Sequence, residues 1–101
     1  MSRADGVLVV VLKAQPFRDI EAGVKLEEYR GENWRKKLLV DEGGTEPFPY
    51  HTLRAFLGYA KDRPMLECPI RYIDWGLPNP AWTYGIVSQG ECFRIHLGPK
   101  P

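Results

Sequence analysis

The feature that most constrains the fold is an unbroken apolar run near the start of the chain, Val7-Leu8-Val9-Val10-Val11-Leu12. Four of its six residues are β-branched, which favours a strand over a helix. The run shows no alternation of apolar and polar residues, so it predicts a strand that is covered on both faces. We therefore expect this strand to lie at the centre of a sheet.

The rest of the chain predicts several short elements. Pro16 suits the first turn of a helix over 16–22, and Phe17 and Ile20 follow at helical spacing, with Gly23 placed for a left-handed cap. Asn33 is placed to cap a second short helix. Further strands are expected over 24–30, 51–57, 65–74 and 91–97. Many short strands with two small helices predict an α+β domain with a curled sheet or a small barrel.

Length and composition limit the classes of protein that the chain can belong to. Its 101 residues fit one domain over 1–101, and a net charge of +1 excludes a polycation that coats nucleic acid by bulk charge. The longest apolar run is too short to span a membrane, and the N-terminal residues lack the apolar core of a signal peptide. Cys68 and Cys92 show no zinc-ligand spacing with the histidines, so we expect reduced thiols, no metal and a cytoplasmic protein.

One segment carries a family resemblance. The residues Gly23-Val24-Lys25-Leu26-Glu27-Glu28-Tyr29-Arg30 match the pattern G-x-K-x-x-E-x-R, which resembles the signature of ASCH domains, relatives of the PUA domain. The order of a hydrophobic strand, a short helix and then the signature is also similar. The segments at 58–64 and 93–98 resemble those of short stand-alone ASCH proteins of phages and prophages.

The resemblance implies both a fold and a function. It implies a small PUA-like mixed β-barrel with two short helices, in which the signature residues line a cleft between the first helix and the barrel. It also implies an RNA- or nucleotide-binding protein without a cofactor, with some relatives acting as enzymes on RNA or on modified nucleosides.

The physical chemistry of the signature leaves two interpretations open. Strand alternation places Glu28 and Arg30 on one face, and Lys25 joins them only if the backbone after Gly23 redirects its side chain. Lys25 would then offer a charge to a phosphate or a base carbonyl, and Arg30 a planar pair of donors. Alternatively, Glu28 and Arg30 form a structural ion pair while Lys25 stays exposed to solvent.

Two further basic segments are candidates for nucleic-acid contact. Trp34 precedes Arg35, Lys36 and Lys37, which form either a phosphate-binding face or the solvent side of a helix whose tryptophan packs inward. The loop 59–63 contributes Tyr59, Lys61 and Arg63, either as ligand contacts or as an ordinary turn. His96 is expected to be exposed.

The sequence supports a binding module as the first hypothesis and a hydrolase as the second. An enzyme would use Lys25, Glu28 and Tyr29, but Glu28 stands where related deacetylases of acetylcytidine have a threonine nucleophile, and a carboxylate does not replace it. A third hypothesis is a protein-interaction module that uses the aromatic, proline-rich segment 75–82. The predicted nucleotide-binding residues are Lys25, Glu28, Arg30, Arg35, Lys36, Lys37, Lys61 and Arg63, and the pattern specifies no oligomeric state.

Overall fold

The structure, a computed structural model, describes residues 5–84 and 90–99. Within these ranges the chain forms a small mixed α+β fold. No helix in the described ranges is long and apolar enough to cross a membrane. The strands are β1 (Val7–Leu12), β2 (Glu27–Arg30), β3 (Thr52–Leu57), β4 (Met65–Gly76) and β5 (Cys92–Leu97), and the helices are α1 (Ala14–Glu21) and α2 (Arg35–Leu38), with 3-10 turns at Glu32–Trp34 and Pro80–Trp82.

The described strands form one five-stranded sheet in the order β1-β3-β4-β5-β2. β1 pairs with β3 in parallel, and every other pairing is antiparallel. β4 is 12 residues long and pairs with β3 through its first half and with β5 through its second half, with a register shift between Ile70 and Tyr72. Because one long strand serves both halves, the sheet curls into a half-barrel with β1 and β2 as its two edges.

The predicted position of β1 at the centre of the sheet is wrong. β1 is an edge strand with β3 as its single neighbour in the described sheet. The side chains of Leu8, Val10 and Leu12 are buried in the core, and Val9 and Val11 are partly covered. An apolar run reports that the faces of a strand are covered, and it carries no information about whether both edges are paired.

The predicted core positions of the last strand and of the first helix are confirmed. Phe93, Ile95 and Leu97 of β5 alternate into the core, and α1 buries Phe17 and Ile20. α1 begins two residues before Pro16, which leaves that proline in the first turn, where no backbone N–H is needed.

The start of the second strand and the cap of the second helix differ from the predictions. Val24 is 61% exposed because the segment after Gly23 leaves the helical path, and β2 begins only at Glu27. Gly31, not Asn33, occupies the cap position before the 3-10 turn that leads into α2. Cys68 and Cys92 are free and buried.

Candidate functional site

A left-handed glycine places Lys25 in the interior. Gly23 has a φ of +78°, a conformation that costs glycine little. The chain then folds back over the end of α1, where the backbone carbonyl of Asp19 accepts from the N–H of Val24 at 2.9 Å and from that of Lys25 at 3.0 Å. These bonds fix the approach to β2 and direct the side chain of Lys25 inward.

Lys25, Glu28 and Arg30 form one buried ionic cluster. The Nζ of Lys25 lies 3.1 Å from Oε1 of Glu28, while the other carboxylate oxygen of Glu28 accepts from Nη1 of Arg30. Lys25 also donates to the backbone carbonyl of Trp82 at 3.1 Å. Of the two interpretations that the sequence left open, the structure shows the convergence of the three signature side chains. Lys25 is 2% exposed, so the alternative in which it stays exposed to solvent is wrong.

Burial changes the acid–base behaviour of Lys25. Removal of its ammonium from water lowers the pKa of Lys25 below the ordinary value of 10.5, and the neighbouring carboxylate of Glu28 opposes this effect in part. An amine in this position releases a proton more readily than a surface lysine does.

Two tyrosine rings enclose the ammonium of Lys25. The ring centroids of Tyr29 and Tyr84 each lie 5.1 Å from Nζ, within the range of cation–π attraction. The hydroxyl of Tyr29 donates to Glu27 at 2.7 Å, and that of Tyr84 donates to Asp19 at 2.9 Å. Burial raises the pKa of both tyrosines, so both hydroxyls stay protonated at neutral pH.

Trp34 lies between two cations. The guanidinium carbon of Arg30 is 4.8 Å from the ring centroid of Trp34, and the Nζ of Lys37 is 4.9 Å from it. Trp34 also packs against the hydrophobic core. The ring therefore packs inward, as one of the two interpretations predicts, and it has a cation of β2 and a cation of α2 as neighbours.

These side chains border a cleft between the two edge strands, which we call the β1–β2 cleft. It has a volume of ≈ 560 Å³, within the range of about 300–1,000 Å³ typical of small-molecule sites. Its lining holds four cationic side chains, one carboxylate and four aromatic rings, with apolar residues of β1 and α1 between them. The lining residues are Val9, Val10, Val11, Leu12, Lys13, Pro16, Lys25, Glu28, Tyr29, Arg30, Trp34, Lys37, Tyr59 and Tyr84.

The structure brings only part of the predicted binding set to this cleft. Lys25, Glu28, Arg30 and Lys37 line it, and so does Tyr29, which was expected only for an enzyme. The remaining predicted cations lie outside the lining: Arg35, Lys36, Lys61 and Arg63.

Two of the cations outside the cleft, Arg35 and Arg63, make local contacts. Arg35 binds Glu32 at 2.8 Å and the carbonyl of Gly44 at 3.0 Å. Arg63 donates to the backbone carbonyl of Gly58 at 3.1 Å. Tyr59, at 85% exposure, is the residue of the loop that reaches the cleft.

Sequence reasoning missed two side chains of the cleft. Lys13 lies between β1 and α1 and is exposed at the mouth of the cleft. The connection between these two elements places it there, and it belongs to no sequence motif. Tyr84 reaches the cleft from the segment after Pro80–Trp82 and has a φ of +55°. No pattern in the sequence links either residue to the signature.

A second depression lies on the other side of Lys25. It has a volume of ≈ 710 Å³, and its lining carries two cations, one carboxylate and no aromatic ring: Ile20, Glu21, Ala22, Gly23, Lys25, Leu26, Cys68, Arg71, Leu97, Gly98 and Pro99. This depression is larger than the β1–β2 cleft, but it has no aromatic ring on which a base could stack. The excess of positive over negative side chains in its lining is also smaller. We therefore place the candidate site in the β1–β2 cleft.

The expectation that His96 is exposed is wrong. His96 is 9% exposed, stacks on Tyr72 with ring centroids 4.0 Å apart, and lies 2.9 Å from Asp74 and 3.5 Å from Glu27. Arg94 donates twice to Asp74, at 2.8 and 2.6 Å. This polar network covers the face of β5 that is opposite the core, and every member is paired, which is typical of a structural network.

Comparison with known proteins finds no matching family model, and neither the curated proteins nor the solved structures give a significant match. Among residues 5–84 and 90–99, no group of three histidine, cysteine or acidic side chains is placed to hold a metal ion. The function must therefore be argued from the chemistry of the β1–β2 cleft.

Proposed function

We propose that the protein binds nucleotides, free or as unpaired residues of RNA, in the β1–β2 cleft. The observation that carries the proposal is the composition of the lining, where four cationic and four aromatic side chains surround one cavity of ≈ 560 Å³. A nucleotide joins an anionic phosphate to a flat aromatic base, so this lining complements both of its parts.

The phosphate would be bound at the cleft mouth. Lys13 and Lys37 are exposed there, and neither forms an ion pair among the described residues. The buried Lys25 and Arg30 share the single carboxylate of Glu28, which leaves the lining with four positive charges against one negative. This excess attracts an anion and supplies it with hydrogen-bond donors.

The base would lie among the aromatic rings. Trp34 and Tyr59 both border the cavity, and Tyr59 is largely free of contacts with the core. Stacking of a base on an aromatic side chain contributes about 1–3 kcal/mol and tolerates different bases. The similarity of the signature to that of ASCH domains supports the same function, and a PUA-like barrel is the corresponding fold proposal.

The test measures binding of an unstructured single-stranded RNA and of the four nucleoside monophosphates, UMP, CMP, GMP and AMP, by calorimetry. We expect Lys37→Ala to lower the RNA affinity and to reduce the slope of log affinity against log salt by about one. Arg18→Ala is the matched control, since Arg18 is an exposed cation of α1 outside the lining. Absence of binding to RNA and to all four nucleotides would refute the proposal.

A second candidate function is hydrolysis of RNA or of a modified nucleoside. The observation that favours it is the buried amine of Lys25, whose lowered pKa beside Glu28 suits a general base. The hydroxyls of Tyr29 and Tyr84 are protonated and already bonded, so the nucleophile would be water. Product formation that is lost in Lys25→Met and in Glu28→Gln would favour this function over binding alone.

A further inference from the structure

The backbone of β1 has one paired edge and one open edge. The carbonyl of Gly6 accepts from Thr52 at 3.3 Å, and that of Leu12 accepts from Gly58 at 3.0 Å. Backbone groups of successive residues in a strand point to opposite sides, so the residues of the same parity, Leu8 and Val10, also face β3.

The backbone groups of Val9 and Val11 consequently point away from β3. Both residues line the β1–β2 cleft, and their N–H and C=O groups have no hydrogen-bond partner within residues 5–84 and 90–99. On the opposite side of the cleft, a backbone group of β2 does have a partner, because the side chain of Arg30 donates to the backbone carbonyl of Tyr29 at 2.7 Å. The free edge of β2 is thus partly covered by its own side chain, whereas the edge of β1 is open to a ligand.

We propose that the open backbone of Val9 and Val11 binds the Watson–Crick edge of the base, an inference that rests on the proposed nucleotide binding. In an extended residue the N–H and C=O point the same way, so one residue offers a donor next to an acceptor. Each of the four bases presents an adjacent donor and acceptor on its Watson–Crick edge, which allows two parallel hydrogen bonds to one residue.

The side chains of the cleft explain why the backbone is needed. The polar side chains of the cleft are mostly donors, and two of its acceptors are already engaged: Glu28 accepts from Lys25 and Arg30, and the hydroxyl of Tyr29 accepts from the backbone N–H of Asn79 at 2.8 Å. An N–H group of a base would therefore find its acceptor in a carbonyl of β1. A base bound in this way has its pairing edge occupied by protein, so the ligand class is an unpaired nucleotide rather than a duplex.

Methylated nucleotides test the inference from the ligand side. The tighter binder of UMP and GMP, on whose ring nitrogen a methyl group adds no charge, is compared with two methylated forms of the same nucleotide. One carries the methyl group on the ring nitrogen of the Watson–Crick edge (N3 in pyrimidines, N1 in purines), and the other carries it at C5 or C8, away from that edge. For the first form we expect at least about a tenfold loss of affinity, because a backbone polar group of β1 is then left unpaired. For the second form we expect less than about a threefold change, because the Watson–Crick edge is intact.

A proline substitution tests the inference from the protein side. Val9→Pro removes the N–H that faces the cleft and leaves the bonds from β1 to β3 in place, since proline is tolerated at the open edge of a strand. We expect it to weaken nucleotide binding about tenfold, while Val9→Thr, which keeps the N–H, retains the affinity. In the unmodified protein, the amide resonances of Val9 and Val11 should move to higher frequency on addition of the nucleotide, more than those of Leu8 and Val10.

The outcomes separate this inference from the proposed function. Nucleotide binding with equal affinity for all methylated forms, and without a shift of the amides of Val9 and Val11, would overturn the role of the β1 edge and leave the cleft as a nucleotide site. Failure of every nucleotide and of RNA to bind would instead refute the function itself. If Val9→Pro does not fold, the ligand series and the amide shifts decide the question.

Discussion

The Nζ of Lys25 lies 3.1 Å from the carboxylate of Glu28, and both side chains are at least nine-tenths buried. Lys25 is therefore part of the fold even without a ligand. Its ammonium stabilises the buried carboxylate from one side while Arg30 does so from the other. The cluster joins β2 to the segment that ends in Trp82, whose carbonyl accepts from Lys25 at 3.1 Å.

Replacement of Lys25 should destabilise the protein. Lys25→Met removes one of two cations from a buried carboxylate and should lower the free energy of unfolding by about 3 kcal/mol, because a buried charge loses a partner. Thermal and urea denaturation measure the loss. In Lys25→Met/Glu28→Gln the buried negative charge is absent as well, so most of the stability should return. A Lys25→Met variant that melts with the parent would contradict the structural role of the cluster.

The pH dependence of stability should reveal the lowered pKa of Lys25. Between that pKa and the ordinary value of 10.5, the unfolded chain holds the proton and the folded chain releases it. The free energy of unfolding contributed by Lys25 therefore rises with pH in this window. Urea denaturation from about pH 8 to about pH 10 should show a more positive slope for the parent than for Lys25→Met. Equal slopes would show that Lys25 titrates as it does in the unfolded chain.

The sequence offered the convergence of the signature as one of two interpretations, but it did not predict the burial of Lys25. Gly23 permits the turn that brings Lys25 to Glu28, and a glycine at that place is visible in the sequence. The carbonyl of Trp82 and the ring of Tyr84 come from a segment more than fifty residues away along the chain. A local sequence pattern contains no information about such distant partners, so it could not distinguish a buried Lys25 from an exposed one.

The position of β1 shows a second limit. Its apolar run predicted the strand with correct bounds, Val7–Leu12, and the burial of its core-facing side chains. A run of apolar residues indicates which side chains are buried. It does not indicate which strands are neighbours in the sheet, because strands pair through backbone hydrogen bonds that nearly every residue type can make. The open edge of β1, and hence the polar wall that it contributes to the cleft, is visible only in the fold.

Amide exchange along β1 should alternate. The N–H groups of Leu8 and Val10 face β3 and should exchange slowly, at rates set by opening of the sheet, while those of Val9 and Val11 face the cleft and should exchange much faster. Exchange measured residue by residue by NMR checks the pattern in the free protein. Uniformly slow exchange from Leu8 to Val11 would mean that a second strand covers the outer edge of β1.

The outer network around Asp74 should contribute to stability at neutral pH and lose its contribution in acid. Two hydrogen bonds from Arg94, aided by His96, lower the pKa of Asp74 below the ordinary 3.8, and partial burial opposes this. The contribution is complete above 3.8 and is lost as the pH falls through the lowered value. Asp74→Asn should therefore be less stable than the parent by about 1 kcal/mol at neutral pH, and the difference should disappear in acid.

The control for Asp74 is the more exposed ion pair between Arg54 and Glu67. Glu67→Gln should change the free energy of unfolding by less than about 0.5 kcal/mol at neutral pH. An Asp74→Asn difference that stays constant down to the acid transition would show that the carboxylate of Asp74 contributes through packing rather than through its charge.

Gly23 should be the backbone residue on which the orientation of Lys25 depends most. Its φ of +78° is strained for any residue with a Cβ, although no atom lies within 4 Å of the position that a Cβ would take. Gly23→Ala should therefore cost about 1 kcal/mol through backbone strain alone. Because Lys25 follows two residues later, the variant should also weaken nucleotide binding in the β1–β2 cleft. Gly43→Ala is the control, since Gly43 has no positive φ and its nearest neighbouring atom lies 3.9 Å away. Equal losses of stability and affinity in the two variants would show that the turn at Gly23 does not position Lys25.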